Sequence, residues 1–402
     1  MKAATSDQGD EREMNTTVRK VYLDNAATTP LFPEVVALMS DYLQNHFGNP
    51  SSLHSYGVDA KKYLDWARKQ AAELIHAELE EIYFTSGGTE ADNIIIIGTA
   101  RRFKQGHIIT SAVEHHAVLD TCKYLAQNGF DLTILPVDQY GMVQPASLQK
   151  AMRPDTFLVS IMQANNEVGT INPIAELCQI AHAGGALFHT DAVQSVGKIP
   201  VDVCQLGVDF LSYSGHKING PKGVGVLYKK AGTPIQRTVH GGGQERKLRS
   251  GTENMPGIVG LGKAAELTRL HGADLTSEWK KLRDHLVERV LAENSHVRLN
   301  GHPTERLPHN AHFSFNFIEG EAILLHLDLN GIACSAGSAC SSASLEPSHV
   351  LTAMGLEPQW SHSAIRFSLG LGNTLADIDY TADMIKKKVD LLRAQSPFYK
   401  GE

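Results

Sequence analysis

The sequence predicts an α/β protein, in which a large domain with a mostly parallel sheet covered by helices precedes a smaller α+β C-terminal domain. The chain has 402 residues, a length that fits two domains. Between residues 82 and 228, short apolar runs alternate with stretches of helical period, which indicates parallel strands covered on both faces. Beyond Gly241 this alternation ends, and two long helical stretches lead into a mixture of strands and helices.

The individual elements follow from apolar periodicity. A short extended segment begins at Val21, a helix begins near Pro33, and a second, amphipathic helix covers residues 57–75. Predicted strands then cover residues 82–85, 107–111, 132–137, 156–162, 186–190, 208–211 and 224–228, with helices between them at 89–103, 117–128, 146–152 and 174–182. Helices at 258–271 and 275–293 precede strands at 297–300, 311–317 and 364–369 and helices at 321–329, 348–354 and 375–392.

This pattern divides the chain into three parts. We expect a flexible lead of residues 1–20, a large domain of residues 21–265, and a small domain of residues 266–402 with a mobile cysteine-containing loop at about 334–346. Because ligands of parallel sheets bind beyond the carboxyl ends of the strands, the polar clusters that follow the predicted strands are the candidates for a site.

The composition limits the classes of binding partner and the cellular compartment that we expect. The formal net charge is −7 and the chain has no basic block, which argues against nucleic acid as a partner. No apolar run approaches the ~18 residues of a membrane span, so we expect no membrane partner. Five cysteines, an odd number in a chain without an export signal, indicate free thiols and a cytoplasmic protein.

A single lysine between two apolar runs is the most informative feature. Ser214, Gly215 and His216 lead to Lys217, and a glycine-rich turn separates it from the next apolar run. Hydroxyl and imidazole groups beside an amine suit the floor of a binding site. We interpret Lys217 as a Schiff-base lysine for pyridoxal phosphate, with a surface lysine in a hairpin turn as the alternative.

Two further clusters fit this interpretation. Gly88 and Thr89 lie between a strand and a helix start, where free backbone N–H groups favour a phosphate, although such a turn can be plain geometry. Asp191 ends an apolar strand, where a desolvated carboxylate favours a cation such as a protonated pyridine nitrogen. Gln194 lies close enough to donate to a ring hydroxyl. A helix cap is the alternative for Asp191.

Other candidates come from histidine, arginine and cysteine. His115 follows a predicted strand and suits stacking on an aromatic cofactor, with an exposed histidine pair or a metal site as the alternative. A glycine-rich cationic loop contains Thr252, which can meet phosphate, or the loop is a linker. Arg366 is a candidate clamp for a substrate carboxylate, or a surface ion pair.

The loop from Cys334 to Ser344 consists of small residues and holds two cysteines. Such a loop suits a thiol that reaches into a site and out again, and Cys340 is its second cysteine. A disulfide between the two cysteines or half of a metal site is the alternative. We expect no resident metal, although Cys340 could ligate the iron of a transient cluster.

Taken in order, these residues form a series that resembles the cysteine desulfurases, which belong to the class V aminotransferase group of fold-type I pyridoxal-phosphate enzymes. The resemblance extends from Val21 to the C-terminal helix and is closest to the nitrogen-fixation and iron–sulfur-cluster branch. It rests on the segments YLDNAATTP, GNPSS, TSGGTEADN, EHHAV, NNEVG, HTDAVQ, SGHKINGPKG, GGGQE, RSGTEN, SAGSACSSASLEPSHVL and IRFSLG.

The resemblance implies a role for each matching residue. Lys217 is the Schiff-base lysine, His115 the ring-stacking acid and base, and Cys340 the nucleophile that forms a persulfide. Cys334 matches no catalytic position. The remaining roles are the ring nitrogen and hydroxyl partners Asp191 and Gln194, the phosphate contacts Gly88, Thr89, Ser214 and His216, the phosphate contact Thr252 from the other subunit of a homodimer, and the substrate carboxylate site Asn166 and Arg366.

The implied activity is conversion of L-cysteine to L-alanine, with the sulfur captured on Cys340 and delivered to an iron–sulfur scaffold or another acceptor protein. A selenocysteine lyase or another class V pyridoxal-phosphate lyase or transaminase is the alternative enzyme, although a transaminase needs no thiol. A catalytically inactive scaffold protein of the same fold is the non-enzyme alternative, but it predicts that Lys217, Asp191 or Cys340 is missing. A dehydrogenase lacks its glycine fingerprint.

Overall fold

The computed structural model describes residues 19–336 and 347–401. The strands are β1 Val21–Tyr22, β2 Ile82–Thr85, β3 His107–Ser111, β4 Asp131–Leu135, β5 Thr156–Ser160, β6 Leu187–Asp191, β7 Phe210–Ser214, β8 Gly225–Lys229, β9 Val297–Leu299, β10 Asn310–Phe315, β11 Ile332–Ala333 and β12 Ala364–Ser368. The helices are α1 Pro33–Asn45, α2 Ser55–Glu73, α3 Gly88–Phe103, α4 His116–Gln127, α5 Pro145–Ala151, α6 Ile174–Ala183, α7 Val203–Leu206, α8 Met255–Glu293, α9 Gly320–Asp328, α10 His349–Ala353, α11 Pro358–Ser361 and α12 Leu375–Gln395.

The central sheet has seven strands in the order β2-β8-β7-β6-β5-β3-β4. Strands β7, β6, β5, β3 and β4 are parallel, whereas β8 is antiparallel to both β2 and β7. Two antiparallel pairings in succession make β2 point the same way as β7. The carboxyl ends of β2, β7, β6, β5 and β3 therefore lie along one edge of the sheet. The prediction of a mostly parallel sheet between helices is confirmed.

Two hydrophobic cores organise the molecule. The sheet core joins strands such as β6 and β7 to α2, α6 and the first half of α8. The C-terminal core packs the second half of α8 and the helices α9 and α12 against the antiparallel sheet β12-β10-β9. Val21 and Leu23 belong to this C-terminal core, and β1 pairs with β11, although both residues precede the sheet core in sequence.

The long helix α8 corrects one prediction. The sequence predicted two helices at 258–271 and 275–293, but the structure has one helix of 39 residues. Gly272 lies in its middle, and an interior glycine costs only about 1 kcal/mol relative to alanine. Burial of Leu261 in the sheet core and of Leu286 in the C-terminal core outweighs that cost. In the part of the chain that the structure describes, no helix has the length and apolar character needed to cross a membrane.

Candidate active site

Lys217 lies at the carboxyl end of β7, in a tight turn. A short 3₁₀ helix, Gly215–Lys217, follows β7 and leads toward β8. A Cβ at Gly215 would lie 2.9 Å from the carbonyl oxygen of Pro221, so only glycine fits this close approach. The half-buried Lys217 side chain donates hydrogen bonds from Nζ to the carbonyl oxygens of Ala26, at 2.5 Å, and Ala27, at 2.8 Å.

The loop of residues 24–29 holds this turn in place. The backbone N–H of Thr29 donates to the carbonyl oxygen of His216 at 3.0 Å, and the Thr29 hydroxyl accepts from the backbone N–H of Asn219 at 2.9 Å. The Gln194 amide also donates to the carbonyl oxygen of Ala26, at 2.9 Å. We assigned no role to this loop from sequence. Its acceptors for Lys217 and Gln194 are backbone carbonyl oxygens, which every residue has, so the residue types do not reveal them.

Asp191 ends β6, the strand next to β7, and is only 5% exposed. Its Oδ1 accepts a hydrogen bond from the backbone N–H of Val193 at 2.8 Å. Burial, reinforced by the nearby carboxyl group of Asp92, raises the pKa of Asp191 to about 6. Within residues 19–336 and 347–401 no basic side chain forms an ion pair with it. A desolvated carboxylate of this kind favours a cationic partner.

His115 caps the first turn of α4 and lies within electrostatic reach of Lys217 and Asp191. Its Nδ1 accepts from the backbone N–H of Ala117 at 3.1 Å, so the neutral ring carries its hydrogen on Nε2. Burial lowers the pKa of His115; the carboxylate of Asp191 opposes this shift and the charge of Lys217 adds to it. A neutral imidazole at this place can stack on an aromatic ring and exchange a proton through Nε2.

The predicted phosphate contacts meet where β2 and β7 end. Helix α3 begins at Gly88, and no side chain caps its first N–H groups. A Cβ at Gly87 would have only the Ser214 Oγ within 4 Å, at 3.9 Å, so this glycine leaves space between the helix start and that hydroxyl. Thr89 is exposed on the first turn. Burial, followed by the charge of Lys217, lowers the pKa of His216 to about 4, which keeps that ring neutral.

Arg366 and Asn166 are also brought together. Arg366 lies on β12, is 2% exposed, and donates from Nη2 to Asp24 Oδ1 at 3.0 Å and from Nη1 to the Asn166 carbonyl oxygen at 2.7 Å. Asp24 was not among the predicted site residues. The only sequence feature that could have indicated it is a carboxylate in the N-terminal loop.

Three predicted residues stand apart from this group. Thr252 is exposed in the loop before α8, and no hydrogen bond between described residues joins it to the others. Cys334 is partly buried beside the C-terminal core, and burial raises the pKa of its thiol to about 12. Cys340 lies outside the described residues.

A buried polar network under the sheet edge was missed from sequence. The Ser212 hydroxyl donates to Asp92, and His189 Nδ1 is 2.8 Å from the Ser160 hydroxyl. Burial raises the pKa of Asp92 to about 7 and lowers that of His189 to about 4. His189 is two residues before Asp191 on the same strand, so the two share a face. The sequence feature that could have predicted this network is the presence of polar residues inside otherwise apolar strands.

The arrangement fits pyridoxal phosphate. The buried carboxylate of Asp191 supplies the counter-charge for a pyridinium nitrogen, and the space at Gly87 beside Ser214 and the α3 N-terminus suits a phosphate. Lys217 and His115 are near these groups: the charge of Lys217 acts on the pKa of both His115 and His216, and the Asp191 carboxylate acts on the pKa of His115.

Comparisons with known proteins agree with this geometry. The family model for aminotransferase class-V matches residues 21–381. The cysteine desulfurase IscS of Dictyoglomus turgidum is 52% identical over 382 residues, which cover 94% of this chain and 97% of that protein. The IscS of Methanosarcina thermophila is 52% identical over 386 residues, covering 96% and 95%. The solved structure of a NifS-like protein has a TM-score of 0.88 and 39% identity, covering 93% of this chain and all of that one. The chain therefore belongs to the aminotransferase class-V family of pyridoxal-phosphate enzymes, and within it to the cysteine desulfurases.

Proposed function

We propose that this protein is a cysteine desulfurase that converts L-cysteine to L-alanine and captures the sulfur as a persulfide on Cys340. The observation that carries the proposal is the meeting of a lysine amine, a neutral histidine and a buried carboxylate at one sheet edge. When bound, pyridoxal phosphate supplies an electron sink that stabilises negative charge at the substrate Cα.

We assign the following residues to the cofactor. Lys217 would attach it through Nζ, and Asp191 would pair with the ring nitrogen. Gln194 would meet the ring hydroxyl, and His115 would stack on the ring. The phosphate contacts would be Gly88, Thr89, Ser214 and His216, with Thr252 contributed by the other subunit of a homodimer.

Substrate binding and proton transfer use two clusters. The Arg366 guanidinium receives the substrate carboxylate next to Asn166, and because it is buried and planar it fixes the orientation of the amino acid. The free amine of Lys217 would remove the proton from Cα. The carbonyl oxygens of Ala26 and Ala27 orient this amine. His115 transfers a proton through Nε2.

The Cys340 thiolate attacks the substrate sulfur, so that a sulfur–sulfur bond forms as the carbon–sulfur bond breaks. The electron pair of the broken bond stays with the carbon, and protonation there yields L-alanine. Both described flanks of this loop lie beside the site: Ser335 pairs with the backbone of Arg366, and His349 Nε2 is 3.0 Å from the carbonyl oxygen of Glu114. Cys340 is five residues from Ser335, a reach of at most ~18 Å.

The proposed function also includes a homodimer, a sulfur acceptor and a cellular compartment. An apolar patch of Leu43, Phe47, Leu53, Tyr56 and Val58 is exposed around the loop between α1 and α2, and it supports a homodimer. The persulfide sulfur passes to an iron–sulfur scaffold or another acceptor protein, and the protein acts in the cytoplasm. The net charge of −7 argues against a nucleic-acid partner, and the lack of an apolar run of ~18 residues in the sequence argues against a membrane partner.

Substitution of Cys340 by serine tests the proposal. We expect Cys340→Ser to release sulfide and alanine from L-cysteine with a reductant at least ~100-fold more slowly than the parent, because no thiol remains to attack the sulfur. Cys334→Ser is the matched control and is expected to keep the parent's rate. Cofactor absorption should be unchanged in both variants.

Sulfide release by Cys340→Ser at the parent's rate would contradict the proposal. Relative turnover of L-cysteine, selenocysteine and a keto-acid acceptor separates it from the selenocysteine lyase and transaminase alternatives.

A further inference from the structure

A second cleft lies between the two cores, apart from the active site. The end of α2, residues 197–206, the middle of α8 and residues 304–308 line it, and its volume is about 920 Å³. None of the residues assigned to the cofactor or the substrate lines this cleft. The established activity therefore leaves its shape and charge unexplained.

The cleft has more positive than negative charge. Its basic side chains are Lys198, Arg269, Lys280, Arg283 and Arg306, and its acidic side chains are Glu73 and Asp202. Both acids are engaged. Glu73 pairs with Arg269 at 3.4 Å, and the Asp202 carboxylate accepts the backbone N–H groups of Cys204 and Gln205 at the start of α7.

Two of the basic side chains are buried without a carboxylate partner. Lys198 is 6% exposed, and its ammonium nitrogen lies 4.6 Å from the centre of the Trp279 ring. Arg306 is 5% exposed, and it donates from Nη2 to the carbonyl oxygens of Val168 and Asn300. Over the described part of the chain, Arg306 Nε and Nη1 meet no acceptor, and neither residue forms an ion pair.

Burial of these charges is costly. Burial lowers the pKa of Lys198 to about 8, and burial with the charge of Arg283 lowers that of Arg306 to about 9. A cation–π contact with Trp279 compensates only part of the desolvation of an ammonium group. Buried charges in proteins are normally paired, so an anion in the cleft would remove the imbalance.

We propose that this cleft binds a small molecule bearing an oxyanion, either a phosphate or a carboxylate group. Lys198 is a buried contact, and Arg269 and Lys280 meet the ligand at the rim, where both side chains are exposed. The apolar wall formed by Ile199, Pro200 and Leu206 contacts the carbon skeleton of the ligand. The cofactor binds elsewhere, so both can be bound at once.

Calorimetric titration of the cofactor-loaded enzyme tests this site, because the loaded enzyme has its cofactor phosphate contacts filled. Pyrophosphate and citrate are titrated separately in chloride buffer at constant ionic strength. We expect saturable binding of at least one probe at one site per chain. Lys198→Met should weaken it ~10-fold or more, since the methionine keeps the stem and loses the charge.

Two further variants keep the test decisive. Lys280→Gln removes a rim charge and should also weaken binding, whereas its neighbour Lys281→Gln is the control, because Lys281 pairs with Glu278 outside the cleft. If Lys198→Met does not fold, Lys280→Gln with Arg269→Gln replaces it. Binding of pyrophosphate alone identifies a phosphate ligand, and binding of citrate alone a carboxylate ligand. No saturable binding, or equal binding by the parent and the cleft variants, overturns the proposal.

Discussion

At the scale of single residues, the carboxyl groups of Asp92, Glu114 and Asp191 are buried within electrostatic reach of one another. Burial raises their pKa values to about 7, about 8 and about 6 respectively. The folded protein therefore binds protons at these groups more tightly than the unfolded chain does. Their contribution to stability is present at low pH and is lost as pH rises through the folded pKa values.

Glu114→Gln tests this sign. Glu114 accepts hydrogen bonds from the Ser111 hydroxyl and the Met162 backbone N–H, and a glutamine oxygen can accept the same bonds. Between pH 5 and pH 8 the Glu114 carboxyl should make the parent's free energy of unfolding decline relative to that of the variant, by at most ~1.4 kcal/mol per pH unit. Buried histidines such as His189, whose pKa is lowered, act in the opposite direction below about pH 6.5 but do so equally in both proteins, so the difference between the two slopes is the quantity to compare.

Urea unfolding of the cofactor-free protein at three pH values measures the two slopes. The exposed Glu319→Gln variant serves as the control and should follow the parent. Parallel curves for the parent and Glu114→Gln would rule out a buried carboxyl that ionises with difficulty.

At the scale of elements, α8 links the two cores through its own backbone. Its first half packs in the sheet core and its second half in the C-terminal core. Glycines on this helix serve different purposes. At Gly262 a Cβ would lie 2.7 Å from the Cα of Ala67, so this glycine lets α2 approach closely. At Gly272 a Cβ would meet only a methyl group of Thr268 at 3.6 Å.

The two glycines therefore predict opposite effects. Gly272→Ala should raise the free energy of unfolding by ~0.5–1 kcal/mol, because alanine reduces backbone freedom in the unfolded chain and has room in the helix. Gly262→Ala should lower it by ~1–3 kcal/mol, because the backbone of α2 has to move. Denaturant unfolding of both variants measures the difference, and destabilisation by Gly272→Ala would show that the middle of α8 is strained.

At the scale of the whole molecule, the apolar patch around the loop between α1 and α2 is the surface through which we propose that subunits associate. Leu53 is 97% exposed and Phe47 is 80% exposed, which is unusual for large apolar side chains that neighbour one another in sequence. Thr252 is exposed as well, as a residue that serves a neighbouring subunit has to be.

If the protein is the proposed homodimer, Phe47→Asp combined with Leu53→Asp should convert it into monomers and weaken cofactor binding. Buried charges oppose association, and the proposed contact of Thr252 with the cofactor of the neighbouring subunit would be lost. Sedimentation velocity and cofactor retention on dialysis measure the two effects. Leu329→Asp, on the exposed end of α9, is the matched control and should remain dimeric. A dimer that survives the double change would place the subunit contact elsewhere.

Apolar periodicity predicted most of the fold. Strands β2 and β3 have the predicted bounds, whereas β4 and β5 end two residues early, at Leu135 and Ser160. The chain beyond β5 stays apolar but leaves the sheet to carry Asn165 and Asn166 toward the site. Strands β1 and β11 were not predicted as a pair, because each has two residues and their pairing depends on contacts between distant parts of the chain.

The candidate site was also predicted only in part from the sequence. Lys217, Asp191 and His115 were predicted because each lies at or after the end of a strand and has a chemically distinctive side chain, and the structure brings them to one edge of the sheet. The acceptors at Ala26 and Ala27 were not predicted, because they are backbone carbonyl oxygens and the alanine side chains give no indication of them. The cationic cleft was also missed, because its lysines and arginines come from separate parts of the sequence and meet only where α8 packs between the two cores.

The N-terminal loop has a consequence for substrate size. Asp24 contacts Arg366, two residues later Ala26 accepts from Lys217, and between them Asn25 is fixed to Ser368 of β12. One short piece of backbone thus sets the distance between Arg366, which we propose receives the substrate carboxylate, and the Lys217 amine, which we propose acts at Cα. In a β-amino acid the carboxylate and the carbon that bears the amine are one carbon further apart. We therefore expect an engineered enzyme for such substrates to need a longer piece of backbone here as well as a reshaped pocket.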